Sequence, residues 1–522
     1  MSFISYEFLG FLFVVAVLYY TIFKNKKWEL LLISSYYFYY KTGVGNLLFI
    51  VLTSLLTYIF SLVISENNKA NLIKEKQNLS IQGNQKERRK VFLLIFALFL
   101  LFMLFIGKYT DVASNFTFFI QKKRSSFLIP LGISFYILQS IGYLIDSYKG
   151  KVEIEKNFFK LSLFITFFPQ LIEGPISRFK DLKEELFKYH DFKYENIKIG
   201  IIRILYGLFK KLIIAERIEV FLDEMCLNPE KYQGPFVFIT LIVYSVYIYC
   251  DFTGGIDIAL GVAKIFDIKL TENFNHPYFS KSLREFWRRW HITMGTWFKD
   301  YVFYPMSVSK NMLILSKKSR KLLGNRLGKR VPVFIAIFVT WALTGLWHGL
   351  SINFFLWGIF NAIFIIIEEE ISHLYEKNII KNKNLKLKVK FVGILKILYT
   401  FILVSLLRIF DCYRDYKLAF KMFLSMFNLN KIKEFNSKGL SIYTNLFSNI
   451  DLKVEDIILI ILGVFTIFLY SIISKKQRFK KKGTAFIFEP EFIAFFCLFI
   501  SVILFGKYGK SYIVTDFVYG RF

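Results

Sequence analysis

Asn273-Phe-Asn-His-Pro-Tyr278 opens a block that runs on through Phe286-Trp-Arg-Arg-Trp-His-Ile-Thr-Met-Gly-Thr-Trp-Phe-Lys-Asp-Tyr301 and closes as Leu343-Thr-Gly-Leu-Trp-His-Gly349. His291 and His348, two of the chain's five histidines, stand in it beside tryptophan and near glycine. Arg288, Arg289, Lys299 and Asp300 lie close to long apolar runs, Phe236 to Phe266 on one side and Val331 to Trp347 on the other. A hydrocarbon layer ~30 Å thick takes ~20 apolar residues per helix, and runs of that order recur along the chain. Ionisable groups at or near membrane depth are costly, so they are functional-site candidates.

Composition agrees with this. Of 522 residues, 55% are hydrophobic and 19% aromatic, with 63 phenylalanines. Soluble domains are less apolar and have no use for repeated runs of membrane length. Open sheets and irregular backbone cannot face lipid with unpaired N–H and C=O groups. The expected fold class is therefore an all-α polytopic membrane protein. The net charge of +30 comes from Lys and Arg clustered between the apolar runs, as expected of cytoplasmic loops. No zinc finger, RNA-binding signature or basic groove motif is present, which excludes nucleic acid as a partner and leaves membrane lipid. Cys226, Cys250, Cys412 and Cys497 are scattered without CxxC or metal-ligand spacing, so neither a disulfide framework nor a zinc site is implied. The first apolar run lacks a basic leader and an A-x-A-like cleavage site and reads as a retained transmembrane helix.

Apolar runs fall at about 8–23, 30–40, 46–64, 91–106 and 127–145, the last containing Pro130. Polar segments at 24–27 and 65–90, both basic, place the N-terminus outside; Lys122-Lys-Arg124 is then the exception to the charge rule. Within 161–176, Phe168-Pro-Gln-Leu-Ile-Glu-Gly-Pro175 breaks a short apolar run. Such backbone is tolerated at depth only inside protein or beside a water-filled cavity, so Gln170 and Glu173 are expected on a broken or re-entrant element. Residues 179–197 read as amphipathic and interfacial. The run 236–266 is interrupted by Cys250-Asp-Phe-Thr-Gly-Gly-Ile-Asp257, which either bends the helix, aiming Asp251 or Asp257 inward, or forms an interfacial turn. A basic loop is expected at 310–330, followed by helices at 331–347 and 352–367, then crossings at 391–407, 457–473 and 492–505. With the basic segments 310–330, 377–390 and 475–482 inside, these last crossings alternate without conflict. No repeat of 20–50 residues appears, nor matched broken segments in two halves.

Neutral histidine suits proton abstraction from a hydroxyl near pH 7, because its unperturbed pKa lies close to the operating pH. His348 sits between Trp347, a flat apolar wall with one N–H, and Gly349, which allows close backbone approach. Arg288 and Arg289, between Trp287 and Trp290, suit an anionic group such as a thioester carrier's phosphates or a polymer carboxylate. Plainer readings stand beside these. His291 with its arginines and tryptophans also fits an interfacial anchor in an aromatic belt, His348 a satisfied packing histidine, and His190 a solvated loop residue. These residues alone give a helical membrane protein with a buried polar centre.

Ile129-Pro-Leu-Gly-Ile-Ser-Phe-Tyr136, Tyr143-Leu-Ile-Asp-Ser-Tyr-Lys-Gly150, Phe168-Pro-Gln-Leu-Ile-Glu-Gly-Pro-Ile-Ser-Arg178, Asp251-Phe-Thr-Gly-Gly-Ile-Asp-Ile-Ala-Leu-Gly261, the Asn273–Pro305 block and Thr344-Gly-Leu-Trp-His-Gly349 occur in one order. Together they resemble the membrane-bound O-acyltransferase (MBOAT) family, in its bacterial alginate O-acetylation branch. The resemblance is close over about 127–367, and Asp516-Phe-Val-Tyr-Gly-Arg-Phe522 is a looser version of the family's aromatic ending.

The resemblance implies a single integral membrane domain over 1–522: N-terminal helices (1–126), an MBOAT catalytic core (127–369) and C-terminal helices (370–522). About 11 transmembrane helices, with re-entrant and interfacial ones, would ring a thinned centre and its tunnel. His348 would be the catalytic histidine and His291 the second functional one. Trp287, Arg288, Arg289, Trp290, Asp300, Trp347, Gln170, Glu173, Asp251 and Asn275 are the expected substrate or tunnel residues, with no metal. No cofactor is expected to be tightly bound; the donor would be acetyl-CoA, another acyl-CoA or a carrier-protein thioester. Either His348 acts as general base for direct attack by the acceptor hydroxyl, or the acyl group is relayed outward. The partners implied are a polysaccharide acceptor and an extracytoplasmic hydrolase-like acetyltransferase, with the chain multi-pass in the plasma membrane. Pro305-Met-Ser-Val-Ser-Lys310 departs from the Gly-Gly-Asn-Arg run common in the branch, and the segment after Ile367 matches poorly. The leading expectation is O-acetylation of a cell-surface or secreted polysaccharide. The alternatives are D-alanyl transfer to teichoic acid and a non-enzymatic transporter.

Overall fold

The structure, a computed structural model, describes residues 1–76, 131–379, 386–449, 452–477, 490–508 and 517. The expected helix 91–106, Pro130, Lys122–Arg124 and most of the C-terminal aromatic ending lie outside the described residues. The described chain is helical throughout its regular structure and forms two compact units, Met1–Ile204 with Gly255–Thr271, and Leu205–Gly254 with Glu272–Val518.

The helices are α1 (Tyr6–Tyr20), α2 (Lys27–Tyr40), α3 (Val44–Lys76), α4 (Ile133–Tyr148), α5 (Phe158–Thr166), α6 (Phe168–Leu171), α7 (Phe179–Phe187), α8 (Tyr194–Leu208), α9 (Glu216–Leu227) and α10 (Pro235–Ile265). There follow α11 (Leu283–Arg289), α12 (Ile292–Phe298), α13 (Tyr304–Ser307), α14 (Lys310–His348), α15 (Ile352–Ile379), α16 (Lys386–Leu407) and α17 (Ile409–Cys412). The last are α18 (Tyr416–Ser425), α19 (Leu429–Asn449), α20 (Val454–Gln477) and α21 (Pro490–Phe505). Among the described residues six helices are long and apolar enough to cross a bilayer: α3, α10, α14, α15, α16 and α20. Helices α1 and α21 are shorter and equally apolar. The protein is an all-α polytopic membrane protein.

In the first unit, Ser54, Thr57 and Ser61 of α3 are fully buried, and each bonds a carbonyl three or four residues back in its own helix. A helix can bury small hydroxyl residues in this way without leaving a polar group unmet. The broken element is present: α5 ends at Thr166, Phe167 is extended (φ −52°, ψ 108°), and α6 restarts for four residues. Asn157 caps α5 by accepting from the Phe159 and Lys160 N–H groups. Gly132 (φ 72°) passes so close to this break that a Cβ there would lie 1.9 Å from the Leu171 carbonyl oxygen.

The interruption expected in 236–266 is not one. Helix α10 runs unbroken, because its glycines serve packing rather than a turn. A Cβ at Gly261 would stand 2.6 Å from the Gly200 carbonyl of α8, and one at Gly254 would stand 3.0 Å from that of Gly207. Backbone-to-backbone approach of this kind is what small residues permit in membrane helices. Arg203 grips Asp257 at 3.0–3.1 Å in the same packing. Residues 310–330 also differ from the basic loop expected: they are helical. Ser309 caps α14 by accepting from the Met312 N–H, and the chain folds back at Gly324 (φ 76°, ψ 168°). Gly328 then lies against the Arg320 backbone, where a Cβ would meet its nitrogen at 2.4 Å. The segment 179–197 divides into the amphipathic α7, which buries Phe179, Leu182 and Leu186, and the start of α8. His190, read as solvated, is 1% exposed. Its Nε2 lies 2.7 Å from the Glu185 carbonyl and its Nδ1 3.6 Å from Asp267, so it clips α7 to the end of α10.

Candidate functional site

Everything in this site belongs to the second unit. Ser282 caps α11 by accepting from the Glu285 N–H, while Glu285 reaches back to the Lys281 N–H at 2.8 Å; the two fix where that short helix begins. Helix α11 ends at Arg289, and α12 starts at Ile292 in a new direction. The corner is His291, held in the left-handed conformation at φ 47° and ψ 54°. A non-glycine residue there costs ~1–3 kcal/mol and persists only where its surroundings over-determine it. Those surroundings are the Asn273–Asn275 segment. Ile292 N–H donates to the Asn273 carbonyl at 2.9 Å, and Asn275 N–H donates to the Arg289 carbonyl at 2.9 Å.

The Asn273 side chain fixes the imidazole as well. Its Oδ1 accepts from Thr293 N–H at 3.0 Å and from Thr293 Oγ1 at 2.9 Å, and lies 3.2 Å from His291 Nδ1. A backbone N–H can only donate, so the Asn273 atom it meets is the carboxamide oxygen. His291 Nδ1 therefore carries the ring proton, and the lone pair sits on Nε2. His291 and Asn273 are both 0% exposed. Burial pushes the conjugate acid of His291 well below the ordinary imidazole range, so the ring is neutral at pH 7. Phe252 closes one side edge-on, its ring centre 5.0 Å away.

Trp347 joins the two histidines. Its indole lies 6.1 Å from the His291 ring and 4.9 Å from that of His348. His348 ends α14 and is 7% exposed, with Trp357 edge-on at 4.9 Å and Phe354 stacked at 6.2 Å. Glycines bring α14 and α15 close enough for this. A Cβ at Gly345 would lie 2.4 Å from the Phe354 carbonyl, and one at Gly358 would lie 2.3 Å from that of Trp341. Trp287 contributes a third indole against Trp341 and Trp357 and donates Nε1–H to Asn361 at 2.9 Å. Trp290 is buried among Phe286, Phe274 and Tyr278, with the Arg408 guanidinium 4.7 Å from its ring centre. Aromatic walls that exclude water strengthen any charge interaction made between them.

The other expected residues divide. Trp287, Trp290 and Trp347 are part of this aromatic enclosure. Arg289 is ion-paired with Glu285 one turn back at 2.5 Å, and Arg288 is exposed. Asn275 takes part through its backbone. Asp300 is half-buried in a π-helical turn, Lys299–Phe303, that continues α12. Asp251 does not point into a gap in α10: it meets Lys211 Nζ at 2.7 Å, and Lys211 also meets Glu216 at 2.8 Å, all three 0% exposed. Gln170 and Glu173 belong to the first unit, where both are buried and Gln170 Nε2 donates to the Phe164 carbonyl at 2.8 Å. Asn273, Thr293, Lys211 and Arg408 escaped sequence reading. Only Asn273 left a signal, as the first residue of the Asn-Phe-Asn-His-Pro segment.

A family model described as MBOAT, membrane-bound O-acyltransferase family, matches residues 34–410, which include both histidines. The chain is 33% identical over 245 residues to the probable alginate O-acetylase AlgI of Pseudomonas syringae pv. tomato, covering 47% of this chain and 44% of that protein. It is 30% identical over 354 residues to the peptidoglycan O-acetyltransferase of Helicobacter pylori, covering 62% of each. It is 30% identical over 239 residues to the teichoic acid D-alanyltransferase of Bacillus subtilis, covering 45% of this chain and 57% of that protein. The chain spans about half the length of the curated relatives it matches. With its family match over most of its length, the chain belongs to the membrane-bound O-acyltransferase family.

Proposed function

We propose that the protein is an O-acyltransferase of the plasma membrane that moves an acetyl group from a cytoplasmic thioester, acetyl-CoA, to hydroxyl groups of a cell-surface or secreted polysaccharide. The observation that carries the reading is the pair of buried imidazoles on one indole: His291 with its tautomer set by Asn273, and His348 against Trp347 and Trp357. In this reading His348 takes the proton of the attacking hydroxyl. The hydroxyl oxygen bonds to the acyl carbon, the carbon–sulfur bond breaks, and the departing thiolate takes up the proton that His348 holds. His291, neutral and with its lone pair on Nε2, accepts a hydrogen bond and so orients a hydroxyl in the same enclosure. The indoles keep water out, which protects the thioester from hydrolysis.

Relatives named for alginate and peptidoglycan O-acetylation support a polymer acceptor and an acetyl group. The basic segments at 24–27 and 65–90 support an orientation with the N-terminus outside. In the relay alternative, the acyl group passes outward and an extracytoplasmic hydrolase-like partner makes the final transfer to the polymer, in place of direct attack at His348. The relative named for D-alanyl transfer to teichoic acid favours a second reading, with a carrier-protein thioester as donor.

The test is the O-acetyl content of surface polysaccharide in cells carrying wild type, His348→Ala or His291→Ala at equal membrane levels. Loss in His348→Ala is expected. Unchanged acetylation in both variants would overturn the reading. Label transferred to polymer from a D-alanyl carrier protein, and not from acetyl-CoA, would replace it with the second.

A further inference from the structure

Sequence spacing separates Cys226 and Cys412 by 186 positions, and the fold sets their Sγ atoms 3.1 Å apart. That is inside the usual contact distance of two unbonded sulfurs and about 1 Å outside the ~2.05 Å of a disulfide bond. Both thiols stand at the ends of elements, where small movements are cheapest. Cys226 is in the last turn of α9, and Cys412 ends the single turn α17. Past Cys412 the chain turns at Arg414, in the left-handed region at φ 51°. Cys226 is half-buried and Cys412 buried, so one thiol is open to a reagent and the other is positioned behind it. The groups around the pair are Asp411 and Arg414, beside Cys412, and Tyr413. The charge rule sets the basic start of α16 inside and its far end, which leads into α17, outside. The outer side of a cell membrane is where disulfides persist.

We infer that Cys226 and Cys412 are a disulfide site, a reversible covalent tie between α9 and the turn that follows α16. The chemistry is thiol–disulfide exchange with an external disulfide such as oxidised glutathione or an oxidised thiol oxidoreductase. The Cys226 thiolate attacks one sulfur of that disulfide, whose other sulfur leaves as a thiolate. The Cys412 sulfur then attacks Cys226 Sγ, the Cys226–Cys412 bond forms, and the second external thiolate departs. Two protein thiols are oxidised, one external disulfide is reduced to two thiols, and the two thiol protons go to the departing sulfurs. The tie fixes the Arg408–Tyr413 turn, and with it the guanidinium that rests on Trp290 next to His291.

The experiment uses membranes containing the full chain, treated with oxidised glutathione, denatured, alkylated with N-ethylmaleimide and digested without reductant. A linked peptide pair holding Cys226 and Cys412 is expected, converted by dithiothreitol into two separate peptides. It should be absent in Cys226→Ser at a normal membrane level. Recovery of both cysteines as alkylated free thiols after oxidation would overturn the inference. So would linkage of Cys412 to Cys250 or Cys497.

Discussion

Asn273 is the residue on which the His291 corner depends most. Replacing it with alanine removes one acceptor from Thr293 N–H, Thr293 Oγ1 and His291 Nδ1 together. Donors left unmet in a buried site cost ~1–3 kcal/mol each, so Asn273→Ala is expected to lower the unfolding temperature and to abolish most acyl transfer. Both are read by thermal unfolding in detergent and by polymer acetylation. Equal activity to wild type would show that the tautomer of His291 does not matter. The same burial sets a pH dependence. His291 has its conjugate acid depressed in the folded state by burial, and His190 has too, mainly by burial. The unfolded chain takes up these protons near pH ~6.5 while the folded one does not. The neutral rings therefore favour folding fully above ~6.5, and that contribution is lost as pH falls. Between about pH 7.5 and about pH 5, wild type is expected to lose more thermal stability than His291→Gln. Equal losses would place the effect elsewhere. Arg408→Met is expected to loosen Trp290, costing about 1–2 kcal/mol through the lost cation–π contact, whereas Arg408→Lys should retain part of it.

The helix pair α14–α15 is held together where side chains are missing. A methyl group at Gly358 would sit 2.3 Å from the Trp341 carbonyl, so Gly358→Ala must push apart the helices that carry His348 and Trp357. The expected cost is ~1–3 kcal/mol, with reduced acetylation at a given protein level. Gly10→Ala, in α1 with nothing within 4 Å of the added carbon, is the matched control and should leave both unchanged. The elements also show what the sequence could reveal. Apolar length betrayed α3, α10, α15 and α20, because burial in lipid demands it. The break at Phe167 was legible from Pro169, Gly174 and Pro175. The helical character of 310–323 was not: its charge density resembles a loop, and only the packing of Gly328 against Arg320 shows the fold-back. Gly254 misled in the other direction, since one residue type serves both turns and close packing.

At the scale of the molecule, a buried cation ties distant parts of the second unit. Lys211 sits in a π-helical turn, Phe209–Ala215, between α8 and α9. It binds Asp251 of α10 and Glu216 of α9 and lies 5.1 Å from the Phe517 ring centre. The same turn presents the Leu212 carbonyl to Lys507 N–H at 3.1 Å. Removing the cation takes from two buried carboxylates the positive charge they share, a cost of ~3–5 kcal/mol. Lys211→Met is therefore expected to fail to accumulate in membranes, and Lys211→Met with Asp251→Asn and Glu216→Gln to recover. If the triple variant is no better than the single, the charges are not what matters. The sequence pointed to Asp251 but not to its partner, because Lys211 and Asp251 are 40 positions apart and meet only through the packing of α10. The pairing of Cys226 with Cys412 was likewise not legible. The two histidines, by contrast, were legible because each stands next to tryptophan, and of the residues that orient His291 only Asn273 left a signal, as the first residue of its segment.

The left-handed backbone at His291 has a practical consequence for anyone dissecting the site. Alanine there loses the ring and keeps the conformational penalty, so its failure mixes two causes. Glycine adopts φ 47° without strain and leaves a hole the shape of the missing ring. A His291→Gly protein thus offers a vacant berth beside Asn273 Oδ1 and Trp347, and added imidazole, diffusing in from solution, should restore transfer by chemical rescue.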